Sequence, residues 1–221
     1  MAHEYLAEFL TLAAIHFLAV VAPGPDFAVT IRQSVHFGRR AGISTAVGIG
    51  AGISVHVIYT LLGVGALMHA TPWLLRSAEL VGGAYLLYLG AMFIRHAGSQ
   101  TAGVSVDDSH SGEVRSLRHS FVLGFLTNAT NPKATLFFLA VFTTVVSAST
   151  PLSIQVLYGG WMCFVNAAWF VLVSLVFTSP RVRVCFLRIG HWFERAMGLL
   201  LIIFSMRLLW GIVGVALTAA K

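Results

Sequence analysis

Charge is what this chain has least of. Asp, Glu, Lys and Arg make up 10% of its 221 residues, where a soluble domain carries about 25%. That shortage excludes an ordinary soluble domain. Cysteine is almost missing. Cys163 and Cys185 form neither a disulfide framework nor a CxxC pair. A membrane thiol-redox carrier would need paired cysteines near its reactive centre, and only Cys163 falls inside an apolar run. The formal charge is +6, yet the arginines form no single patch, so no nucleic-acid partner is expected. Residues 1–5 hold no Lys or Arg, so the first apolar run lacks the basic start of a secretory signal and is expected to stay as a span. What remains is hydrophobic sequence, 57% of the chain, with a mean hydropathy of +0.85. The composition is that of an all-α integral membrane protein.

A span takes about 20 apolar residues. Six are expected, at 5–37, 41–69, 73–96, 118–147, 152–178 and 192–215. The first would be about 50 Å long if straight, against a hydrocarbon core of about 30 Å, so it must tilt or break. The stretch 97–117 is rich in Gly and Ser, contains Asp107, Asp108 and Glu113, and reads as a cytoplasmic linker. It divides the chain into a three-helix repeat at 1–96 and another at 118–221.

Two charged breaks interrupt apolar sequence at matching points of the halves. Pro23-Gly24-Pro25-Asp26 is one, and Asn131-Pro132-Lys133 is the other. Gly24 and Asn131, Pro25 and Pro132, and Asp26 and Lys133 are each 107 residues apart. Gly52 and Gly159 keep that offset, and Glu79 precedes Gly83 as Glu194 precedes Gly198. Halves with an odd number of spans must be inverted relative to one another. The expected plan is therefore two inverted three-helix repeats, with helices 1 and 4 broken near the midplane. Positive charge agrees. Arg32, Arg39, Arg40, Arg95, Arg115, Arg118, Arg181, Arg183 and Arg188 fall on one side, and Arg76 and Lys221 on the other. This places both termini outside the cytoplasm.

Asn131 suits an N-cap, with Pro132 at the first helical position, and Gly24 and Pro25 can take the same places. Each break thus reads as the start of a half-helix, whose free N–H groups and partial positive charge favour a carboxylate. Asp26 is placed to accept an ammonium or to carry a coupling proton. Lys133 is placed to balance Asp26 or to hold a carboxylate. That set fits a zwitterionic amino acid. The bland alternative is a structural ion pair with prolines that only bend helices. Intramembrane charge favours function by default.

Weaker candidates surround these. Thr127 and Asn128 precede the second break, and Asn166 lies in the fifth span. His16 and His56 lie within spans, where packing is the stronger expectation and a proton relay the alternative. Glu79 and Glu194 are expected at hydrated span ends. Gly48 and Gly52 have GxxxG spacing, which favours close packing within one protomer over a homodimer. Trp73, Trp161, Trp192 and Trp210 are expected as interfacial anchors. No metal site is expected. Hard cations want several carboxylates and softer ones His or Cys clusters, and Asp26 beside Lys133 supplies neither. Export of another small solute or a metal cation stays the alternative to an amino acid, and a passive channel is a further one.

Ala22-Pro23-Gly24-Pro25-Asp26-Phe27, Gly38-Arg39-Arg40-Ala41-Gly42 and then Gly48 and Gly52 resemble the LysE/RhtB family of amino-acid exporters. Gly124-Phe125-Leu126-Thr127-Asn128, running into Asn131-Pro132-Lys133-Ala134, resembles the other signature of that family. His16 ahead of Pro23-Gly24-Pro25-Asp26, with Leu126-Thr127-Asn128 ahead of Asn131-Pro132-Lys133, most resembles the threonine-efflux branch. The resemblance spans essentially the whole chain. It implies proton-driven export of threonine, homoserine or similar neutral amino acids across a bacterial cytoplasmic (inner) membrane, with no enzymatic activity and no cofactor. It implies that Pro23, Gly24, Pro25, Asn131, Pro132 and Lys133 serve the site, and Asp26 matches the branches with an acid there. Arg32 lies outside the motif and is expected to face a cytoplasmic vestibule.

Overall fold

The computed structural model describes residues 2–68, 72–97, 116–147 and 149–219. Among them there are eight helices and no strand. They are α1 (Ala2–Val21), α2 (Pro25–His36), α3 (Gly38–Met68), α4 (Pro72–Arg95), α5 (Leu117–Ala129), α6 (Pro132–Thr144), α7 (Leu152–Val176) and α8 (Pro180–Ala219). Among the described residues, four stretches are long and apolar enough to cross a membrane: His3–Val21, Gly38–Gly63, Arg76–Arg95 and Leu152–Val176. Of the linker expected at 97–117, all but the ends lies outside the described residues.

Proline and glycine set the helix boundaries. Pro25, Pro132 and Pro180 each open a helix, where the missing N–H costs nothing. Between α2 and α3 the chain turns through Gly38, whose φ of +82° is a left-handed conformation that favours glycine. The stretch before residue 192, expected as a connection, is instead the first three turns of α8, which runs 40 residues from Pro180. No proline interrupts it after that start, so helix continues.

The α3 helix is the hub, packing on α2, α5, α6 and α7, while α4 packs on α6 and α8. Small residues permit these approaches. A Cβ on Gly48 would strike the Phe121 carbonyl of α5, and one on Gly124 would strike that of Thr45 in α3. The GxxxG pair therefore serves packing inside the protomer. At the crossing of α4 and α8, a Cβ on Gly90 would lie 2.8 Å from the Gly198 oxygen, and one on Gly198 2.6 Å from the Gly90 oxygen. The α1 helix is held at its start, where Glu8 accepts from Ser147 N at 2.9 Å and from Thr150 Oγ1 at 3.0 Å.

Phe138, Phe142, Leu12, Leu86, Leu89 and Met162 fill the main core, and Phe27, Ile31, Ile49 and Phe170 a second cluster. Trp73, Trp192 and Trp210 are exposed, in keeping with an interfacial role. Trp161 is not. Its ring packs on Phe9 and His16, with centroids 5.1 and 5.6 Å away, so it is a packing residue.

Candidate functional site at two helix breaks

The two breaks meet. The α1 helix ends at Val21 and α2 starts at Pro25; α5 ends at Ala129 and α6 starts at Pro132. Asn128, in the last turn of α5, donates from Nδ2 to Asp26 Oδ2 in the first turn of α2, at 2.8 Å. On the other side of the gap, a Cβ on Gly24 would lie 3.8 Å from Lys133 Nζ. Gly24 has φ −172°, extended backbone that any residue adopts. What its hydrogen provides is room beside the ammonium.

The two half-helix starts differ. Asn131 caps α6, its Oδ1 accepting from Lys133 N at 3.0 Å. No side chain caps α2 at Gly24. Its dipole is met instead by Asp26 in the first turn. The Lys133 ammonium sits 4.3 Å from the centroid of Phe93 on α4, a cation–π contact. Tyr85 donates to the Lys133 carbonyl at 3.2 Å. Lys133 and Asp26 act on one another electrostatically, and Glu194 acts on Lys133 as well.

A cavity of about 60 Å³ lies between the breaks. That is room for several waters, each of which needs roughly 10–15 Å³. Gly24, Pro25, Asp26, Asn128, Asn131 and Lys133 line it, together with His16 and Asn166, and Phe137, Phe138 and Phe170 form apolar walls. Among these lining residues, Asp26 Oδ1, Asn128 Oδ1, Asn166 Oδ1 and His16 Nδ1 are buried with no hydrogen-bond partner. Such atoms are rare in a folded protein and each needs a reason. Asn166 Nδ2 and His16 Nε2 are 3.4 Å apart, so these two weaker candidates sit together.

Other candidates lie elsewhere. Pro23 is buried behind the break and Pro132 is exposed. Arg32 is exposed on α2. Thr127 directs its hydroxyl to the Leu123 carbonyl at 2.7 Å. His56 stands behind Asn128 and outside the cavity wall, with Nε2 2.9 Å from the Asn128 oxygen. Glu194 departs from expectation most clearly, being 4% exposed in place of the hydrated setting expected of a span end. Glu194 is inside α8 and not at its end, on the helix face that also buries Met197, Leu201 and Ser205. Phe93, Tyr85 and Tyr59 carried no sequence signal. Among the described residues, no three His, Cys, Asp or Glu side chains gather into a set that could hold a metal ion.

The proteins similar in sequence to this chain include ones named for efflux. The family profile described as LysE type translocator matches residues 17–211. The threonine efflux protein of Salmonella typhi is 30% identical over 205 residues, covering 92% of this chain and 98% of that protein. The threonine efflux protein of Escherichia coli (strain K12) is 30% identical over 204 residues, with the same two shares. The uncharacterized membrane protein YahN of Escherichia coli (strain K12) is 26% identical over 205 residues, 92% of this chain and 89% of its own. No solved structure matches. The matched region runs from the helix before the first break to the last helix, so it takes in both breaks and the cavity between them. The activity lies in moving a solute and not in transforming one, and the chain belongs to the LysE family of translocators.

Proposed function

We propose that this protein is a secondary transporter that exports small neutral amino acids, threonine, homoserine or similar, from the cytoplasm in exchange for protons. The observation that carries the reading is the set of unpartnered polar atoms around the cavity. Asp26 Oδ1, Asn128 Oδ1 and Asn166 Oδ1 are acceptors without donors, which suits an ammonium. Lys133 is a cation and the start of α2 carries the partial positive charge of a helix N-terminus, which suit a carboxylate. A zwitterion satisfies both. The similarity to proteins named for threonine efflux supports this substrate class.

In this reading α1 with α2, and α5 with α6, are the first and fourth of six spans. The halves 1–96 and 118–221 are inverted repeats, and the site lies near the midplane of the cytoplasmic membrane, with both termini outside the cytoplasm. Asp26 exchanges its contact with Asn128 for the substrate or for a proton. The two halves rock about the glycine-lined crossings to expose the cavity alternately. The GxxxG glycines are occupied within the protomer, so a homodimer would have to use another face.

The test is uptake of labelled threonine into proteoliposomes, with and without an imposed pH gradient, beside Asp26→Asn. Gradient-driven accumulation that the variant loses is the expected result. Flux that ignores the gradient would indicate a passive pathway. No flux of any amino acid, with protection of cells from a metal, would move the assignment to a cation.

A further inference from the structure

We infer that His56 is a positioning residue, which adds a second hydrogen bond to the carbonyl left without its helix partner at the second break and so holds Asn128 against Asp26. This rests on the transporter reading of the cavity above. In an uninterrupted helix the N–H of residue 132 would bond to the carbonyl of Asn128, four residues back. Pro132 has no N–H. The Asn128 carbonyl accepts on one side from Asn131 N at 2.8 Å, and its second lone pair is met by His56 Nε2, 2.9 Å away, which reaches it from α3. A carbonyl only accepts, so His56 Nε2 carries the hydrogen. The neutral ring then accepts at Nδ1, and the Tyr59 hydroxyl lies 3.0 Å from it, placed to donate there. That contact fixes the tautomer.

The ring also holds the far side of the break. It stacks on Phe138 of α6, with centroids 5.6 Å apart and planes 20° from parallel, and Phe138 is a cavity wall. His56 thus joins the last turn of α5 to the second turn of α6 across the gap. Gly52, one turn earlier on α3, makes this reach feasible. A Cβ there would come within 2.9 Å of the Asn128 Cβ, so only a glycine lets α3 approach so closely. His56 itself is 0% exposed and does not line the cavity. Its influence passes through Asn128, whose amide fixes one oxygen of Asp26.

The experiment compares His56→Ala, His56→Gln and Tyr59→Phe in the full-length protein. Glutamine carries an N–H donor the same number of bonds from Cβ as His Nε2, so it can restore the tether. Threonine transport in proteoliposomes is the first readout. His56→Ala is expected to lower turnover roughly tenfold, the scale set by one buried hydrogen bond, with KM changed less than turnover. His56→Gln is expected to recover most of the loss, and Tyr59→Phe to lie between the two. The second readout is amide hydrogen exchange of residues 126–131, faster in His56→Ala and restored in His56→Gln. If wild type moves no threonine, the transport reading fails, and the exchange arm still decides the tether. Unchanged exchange in His56→Ala overturns the inference, as does His56→Gln matching His56→Ala in transport. Should His56→Ala not fold, His56→Gln decides alone, and loss of transport in it overturns the inference.

Discussion

Asn128 donates to Asp26 at 2.8 Å across 102 residues of sequence, and this one bond joins the end of α5 to the start of α2. The acceptor uses one carboxylate oxygen and leaves the other, Oδ1, buried and unpartnered at the cavity. Asn128 therefore does two things at once. It orients the carboxylate, and its own Oδ1 stays available to a bound group.

Removing that amide should hurt transport more than folding. A hydrogen bond to an ionised group contributes about 1.5–3 kcal/mol. Asn128→Ala is expected to lower stability by about that much or somewhat more, since it leaves Asp26 Oδ2 without its donor, and to lower the threonine transport rate at least tenfold. Thermal unfolding in detergent and initial rates in proteoliposomes measure the two. A full transport rate would show that Asp26 orients itself without help.

Gly24 offers a sharper test of space against conformation. Its φ is open to any residue, and a Cβ would meet Lys133 Nζ at an ordinary 3.8 Å. Gly24→Ala should fold and keep measurable transport. Gly24→Leu extends the side chain into the ammonium and should abolish transport. Equal loss in both would mean that the backbone, and not the room beside Lys133, demands glycine.

The crossing of α4 and α8 predicts a stability difference between glycines. Gly198→Ala puts a methyl 2.6 Å from the Gly90 carbonyl oxygen, and overpacking of this kind costs about 1–3 kcal/mol. Gly160 has nothing within 4 Å, so Gly160→Ala should leave Tm unchanged or raise it slightly, alanine being the better helix former. Parallel melts of the two variants check the contrast.

Glu194 is buried on α8 and is electrostatically coupled to Lys133, as Asp26 is. Glu194→Gln keeps its shape and removes the charge. Turnover is expected to fall several-fold while the protein still inserts and folds. Kinetics identical to wild type would assign Glu194 to packing alone.

The breaks are legible in the sequence because proline acts locally. Pro25 and Pro132 cannot continue a helix, and Gly24 and Asn131 are good residues to restart one, whatever surrounds them. The weak point is α8. Arginines at 181, 183 and 188 resemble a connection, which shortens the expected helix and leaves Glu194 at a hydrated end. Trp161 is misplaced for a similar reason, because nearness to a span end is no measure of what a ring touches. His56 is visible as an intramembrane histidine, but its partner is a backbone carbonyl, which has no sequence signature.

By itself the sequence determined that the chain belongs in a membrane, that its helices break at Pro25 and Pro132, and that it resembles amino-acid exporters. Each follows from composition or from residues next to one another. Only the tertiary structure decided which side chains meet: Asn128 with Asp26, His56 with the Asn128 carbonyl, Phe93 beneath Lys133, and Glu194 inside. In water a helix shows its inner face by contrast, apolar against polar. In lipid, the outer face is as apolar as the core, so the pattern along the chain no longer says which way a residue points, and only packing does.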